Sequence, residues 1–151
     1  MRIEEALKTN KFRDEKHKAG INLLHTAYWF NDSFNQLLKP FGLTQEQFNV
    51  LRILRGSLPK NLSVKEVTTR MIEKSSNVPR IVDKLVRKEL VVRQDSTIDK
   101  RETFIVVTPK GLALLKSMDK VIADGEKELL GLNDDEALIF NELLEKIRSN
   151  K

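Results

Sequence analysis

Apolar positions recur at helical spacing along most of the chain, with one short interruption at a period of two. From about Asp14 to Leu38 the apolar marks Ile21, Leu24, Phe30, Phe34, Leu37 and Leu38, thickened by Ala27, Tyr28 and Trp29, predict one long helix. Its apolar surface covers more than one face, so it is buried on several sides or borrows a second chain. Pro40 and Gly42 end it. Thr44 with Gln47 three residues on is a capping box for a second helix carrying Phe48, Leu51 and Leu54, and Gly56 and Pro59 close it. Ser63 and Glu66 form another box, opening a short third helix with Val64, Val67 and Met71 on one side.

The fourth segment, Ser75 to Leu90, is the most informative. Val78, Ile81, Val82, Leu85 and Val86 lie at i, i+3, i+4, i+7 and i+8, one apolar stripe of a helix. The positions left over are Ser75, Ser76, Asn77, Arg80, Lys84, Arg87 and Lys88, short hydrogen-bonding groups at the front and then cations. Ser75 or Ser76 is the expected N-cap, and Pro79 falls in the first turn, where its missing N–H breaks no helical bond. Two short helices joined by the turn Ile72–Lys74, the second cationic on its outside, make a helix-turn-helix whose second helix suits a major groove. A solvated cationic face is the plainer reading of the same stripe.

The period then changes. Leu90 to Arg93 and Thr103 to Val107 predict two strands around the polar turn QDSTIDKRE, a hairpin with a cationic tip placed as a wing behind the helix-turn-helix. Thr108 and Pro109 start a helix of roughly twenty residues with Leu112, Leu115, Met118, Val121, Ile122, Leu129 and Leu130, stopped by Gly131. Asn133 or Asp134 caps a last helix striped by Ala137, Phe140, Leu143, Leu144 and Ile147. The expected fold is mainly α with a small β-hairpin wing: a single domain over 1–151, with a DNA-binding lobe at about 44–107.

Charge sharpens this picture. The window Lys60–Lys110 holds 12 of the 27 basic residues but only 7 of the 22 acidic ones, so the net charge of +5 resides entirely there and the remainder balances. A concentrated basic excess is what neutralising a phosphate backbone requires. The chain has no cysteine, which excludes disulfides and thiolate metal sites and agrees with a cytoplasmic setting. His17 and His25, eight residues apart on one helix, stand about 12 Å apart along its axis, too far to share a metal. No phosphate loop, nucleophile elbow or acid/base carboxylate pair is present. The expectations are therefore no enzyme, no cofactor, no metal and no membrane segment.

The order of elements over about residues 17 to 148 resembles the MarR family of winged helix-turn-helix regulators. The closest likeness lies in NVPRIVDKLVRKELVVRQDSTIDKRETFIVVTPKG, with Asp99, Lys100 and Arg101 at the family's D-x-R wing motif and Thr108 to Gly111 at its T-x-K-G motif. Glu89 stands where the family usually has glycine, and Pro79 where a hydroxyl residue is common. The resemblance implies that Ser75, Ser76, Asn77, Arg80 and Lys84 meet base edges and phosphates, and that Arg101, oriented by Asp99, enters the minor groove. It implies a homodimer, paired through dimerisation helices at about 14–38 and 108–149, on a pseudo-palindrome with half-sites about one helical turn apart, acting as a repressor that a small aromatic or amphipathic effector releases. For Tyr28, Trp29 and Phe30 two readings stand open, lining an effector pocket or packing into the core, and His25 is a further pocket candidate against the reading of a surface or core histidine. The rivals to a regulator are a winged-helix module that binds protein, and a small-molecule enzyme or sequestering protein.

Overall fold

The computed structural model describes residues 1–95 and 103–149. Among them the chain forms α1 (Ile3–Leu7), α2 (Glu15–Leu38), α3 (Gln45–Ser57), β1 (Leu62–Ser63), α4 (Val64–Arg70), α5 (Val78–Arg87), β2 (Val91–Asp95), β3 (Thr103–Val107), α6 (Pro109–Leu130) and α7 (Asp134–Ser149). The helix starts follow their caps. Asp14 accepts from the His17 N–H, Thr44 from Gln47, Ser63 from Glu66, and Thr108 from Gly111. Asn133 and Glu136 exchange side-chain and backbone bonds at the start of α7.

One expectation is corrected, and two elements add to those read from the sequence. The helix with the cationic face begins at Val78, capped by Asn77 and not by Ser75 or Ser76; the Asn77 carboxamide oxygen accepts the Arg80 N–H at 3.2 Å. The hairpin is one side of a three-stranded antiparallel sheet of order β1-β3-β2, with Leu62 opposite Ile105 and Arg93 opposite the same residue on the other edge. A short helix, α1, precedes the long one and buries Ile3.

The core lies beneath the sheet and the helix-turn-helix. Leu51 and Leu54 of α3, Val67 of α4, Val78, Val82 and Leu85 of α5, Ile105 of β3, and Leu115 and Met118 of α6 close it, with Phe34 and Leu38 from the end of α2. Two glycines permit close approaches. A Cβ on Gly111 would lie 2.4 Å from the Leu90 carbonyl oxygen, so α6 can start against β2 only without a side chain there. At Gly125 it would meet the Leu37 side chain at 2.6 Å, where α6 crosses α2. No residue of α7 is buried.

Candidate nucleic-acid interface

The second helix of the pair, α5, is held from one side only. Val78, Ile81, Val82 and Leu85 are buried, so the helical period turns Arg80, Lys84 and Arg87 outward, and all three are exposed. None of them has an ion-pair partner among the described residues, so their charge is available to a ligand. Lys88 belongs to a different group. Its ammonium turns back to α3, donating to the Gly42 carbonyl and to Gln47 Oε1 at 3.0 Å, and fastens the far end of α5.

The front of α5 divides the three short polar residues. Ser75 is exposed, and its hydroxyl donates to Glu73 Oε1 at 2.7 Å. Asn77 is exposed, but its carboxamide oxygen is committed to the cap. The Ser76 hydroxyl is buried without a hydrogen-bond partner among the described residues and lines a cleft behind the helix. Asp99, Lys100 and Arg101 lie outside the described residues. Up to that point the wing is regular: Asp95 pairs with Thr103, whose hydroxyl donates to Asp95 Oδ1 at 3.3 Å.

Periodicity did not reveal what braces the helix to the wing. Asp83 sits on α5 and accepts from Arg93 Nη2 of β2 at 2.7 Å. The signal was available only in combination, since Arg93 faces α5 once β2 is in register with β3. The turn between α5 and β2 is made by Glu89 in the left-handed region, φ 61°. The Thr108 hydroxyl donates to the Glu89 carbonyl at 2.7 Å, and Lys110 Nζ lies 2.8 Å from its carboxylate. That ammonium holds the Glu89 carboxyl below its ordinary range. In α4, the Glu66 carboxyl is lowered to about 2 by the Lys60 ammonium and by the Ser63 N–H it accepts.

The cleft behind the helix-turn-helix has a volume of about 580 Å³ and is walled by Phe30 and Phe34 of α2, Phe48 of α3, and Ile72 and Ser76 of the turn before α5. His25, Tyr28 and Trp29 do not line it. His25 is half-buried, while Tyr28 (76% exposed) and Trp29 (49%) stand on the outer side of α2 with Leu24, neither in the core nor in the cleft. The described residues contain no group of three potential metal ligands, and none of their helices is long and apolar enough to cross a membrane.

This geometry has known counterparts. A family model described as MarR family matches residues 43–103, from just before α3 to the start of β3. The HTH-type transcriptional regulator MhqR of Bacillus subtilis is 30% identical over 123 residues, covering 80% of this chain and 82% of that protein. Among solved structures, the MarR family transcriptional regulator Sco3205 of Streptomyces coelicolor, in complex with DNA, superposes with a TM-score of 0.81 at 19% identity over 91% of this chain and 92% of that one. Bordetella bronchiseptica BpsR, whose DNA binding is regulated by 6-hydroxynicotinic acid, gives a TM-score of 0.77 at 24% identity, covering 87% and 94%. With a shared helix-turn-helix and wing, and a relative of this identity over four-fifths of both chains, the chain belongs to the MarR family of winged helix-turn-helix regulators.

Proposed function

We propose that the protein is a sequence-specific DNA-binding transcriptional regulator that works in the cytoplasm as a homodimer on pseudo-palindromic operators, and that it is a repressor released by a small effector. One observation carries the reading: α5 is anchored by four buried apolar residues and offers Arg80, Lys84 and Arg87, unpaired among the described residues, from its outer face. An Arg fork can pair with guanine in a major groove, and Lys and Arg at one-turn intervals can follow a phosphate backbone. Ser75 and Asn77 add polar groups at the helix front, while Asp99, Lys100 and Arg101 are assigned to the wing tip on the motif alone. In this reading the lobe at about 44–107 reads DNA and the helices at 14–38 and 108–149 pair two copies.

The dimer is supported by unused apolar surface. The accessible area of 11212 Å² exceeds by about 3,300 Å² the roughly 7,900 Å² of a compact monomer of this mass, more than the about 1,000–2,500 Å² that each partner contributes to an obligate interface. Leu138, Ile139, Leu143 and Ile147 of α7 are all more than half exposed.

The test is a selection of bound fragments from genomic DNA at two salt concentrations. A regulator recovers a two-fold symmetric site, with a log–log salt slope of several units. Arg80→Ala then costs about 1–3 kcal/mol at that site and relaxes base preference at one position in each half-site. A protein-binding module recovers no site and shows no steep salt dependence, and an unchanged footprint for Arg80→Ala removes the case for α5.

A further inference from the structure

Of the first three residues of α5, Val78, Pro79 and Arg80, only the outer two have a backbone N–H, and both are bonded. Val78 N–H donates to the Ser76 carbonyl at 3.1 Å, and Arg80 N–H donates to Asn77 Oδ1 at 3.2 Å. An N-cap oxygen serves the N–H of the second or the third helical residue. With proline in the second place, the Arg80 N–H is the group left for the Asn77 oxygen to cap. Sequence and geometry thus commit that oxygen to one partner.

The commitment fixes which way round the carboxamide stands. A backbone N–H attracts the oxygen and repels the amino group, so the two N–H bonds of Asn77 Nδ2 are left for other partners. Asn77 is exposed, and among the described residues Nδ2 donates to no group. Turning the amide over would set N–H against N–H and strip the start of α5 of its cap. An uncommitted asparagine shows a base edge both a donor and an acceptor, the combination that fits adenine N7 and N6. Asn77 shows donors only. Arg80, three residues on and exposed, is likewise all donor.

We infer that Asn77 is a specificity residue that selects a keto base, guanine through O6 or thymine through O4, at one position of each half-site and rejects adenine and cytosine there; the inference rests on the DNA-binding reading proposed above. The amino groups of the rejected bases, adenine N6 and cytosine N4, meet the Asn77 amino group hydrogen to hydrogen. The oxygen that could accept from them is held in the cap. One side chain therefore starts the helix and sets the polarity of the base edge that its tip can read.

Selection from duplexes with randomised half-sites, run on the full chain, on Asn77→Asp and on Asn77→Ser, tests this. Aspartate keeps the cap, because a carboxylate oxygen accepts the Arg80 N–H, and exchanges the outward donor for an acceptor. Where the unaltered chain selects guanine or thymine, Asn77→Asp selects cytosine or adenine; it binds the parent site about tenfold or more weakly and regains about threefold or more when that base pair is exchanged. Asn77→Ser, capped by its hydroxyl but too short to reach the groove, loses the preference at the same position, and this variant alone decides the matter if the aspartate chain does not fold. Adenine at the responding position overturns the assignment, since the oxygen has then left the cap. A uniform loss for Asn77→Asp without a change of base also overturns it, because a carboxylate beside phosphates repels every sequence alike. A two-fold site that is selected identically by all three chains sinks this inference alone, whereas an unaltered chain that selects no duplex sinks the regulator reading and this inference with it.

Discussion

Glu89 and Gly111 lie on either side of the same close contact, where glycine suits both positions but occupies only the second. Glu89 turns the chain from α5 into β2 at φ 61°, a conformation that crowds Cβ against the following carbonyl and that glycine enters freely. The strain is supported by the Thr108 hydroxyl on its carbonyl and by Lys110 on its carboxylate. Because that ion pair is exposed, its loss counts for little beside the relief of the backbone. Glu89→Gly is therefore expected to raise the thermal midpoint by a few degrees without altering DNA affinity, as differential scanning calorimetry and a binding titration would register. Gly111→Ala goes the other way. With a Cβ 2.4 Å from the Leu90 carbonyl oxygen, the start of α6 must back away from β2, at a cost of about 1–3 kcal/mol in denaturant unfolding. A null result at Gly111 would mean that the α6–β2 junction is looser than its geometry. Asn77→Ala removes a cap and costs about 1 kcal/mol, whereas Ser75→Ala leaves stability unchanged, a contrast that urea titration of the two variants resolves.

At the scale of elements, the caps made most of the fold legible. Thr44 with Gln47, Ser63 with Glu66, and Thr108 before Pro109 each start a helix where the residue pattern places it, because these side chains satisfy N–H groups of their own turn and need no distant partner. The features that escaped depend on distant partners. β1 is two residues long and exists only because Leu62 and Ser63 meet Ile105 and Phe104 across some forty residues of chain. The start of α5 moved past both serines because residues 72–76 are held as a turn, with the Ile72 N–H on Asn49 of another helix. Arg80 and Lys84 were readable as outward-facing from the period alone; that Ser76 points to a cleft and Lys88 back to α3 was not. The box at α4 also has a pH signature. The Glu66 carboxyl, at about 2 in the folded chain against an ordinary 4.5, stays ionised there while the unfolded chain takes up a proton. Its stabilising contribution is thus complete above about pH 4.5 and is lost as pH falls toward 2. Unfolding followed by circular dichroism across that window is expected to show a shallower acid decline for Glu66→Gln than for the unaltered chain; equal slopes would mean that Lys60 and Ser63 do not hold the carboxylate in solution.

For the whole molecule, the decisive quantity is the apolar area that one copy leaves uncovered. α7 has the stripe of an amphipathic helix yet buries none of it, and Leu24, Tyr28, Trp29 and Val121 add exposed apolar surface on α2 and α6. In the proposed homodimer a second copy covers these helices and so fixes the separation of two α5 helices, and that separation must match the pitch of the duplex for both to bind at once. Pairing contributes affinity without new contacts to DNA, because docking of the second half-site becomes intramolecular. Replacing Leu143 and Ile147 together by Glu places two charges on the stripe while leaving the buried core of the lobe untouched, since both side chains are more than half exposed in the single chain. The double variant is expected to keep its helical circular dichroism, to sediment as a single chain, and to lose about 10²- to 10⁴-fold in affinity for a two-half-site operator. On a lone half-site it binds as the unaltered protein does, which separates lost pairing from a damaged recognition helix. If the variant still sediments as a pair, the interface lies elsewhere; if it sediments as a single chain and holds the full operator undiminished, the two helices do not act together on DNA.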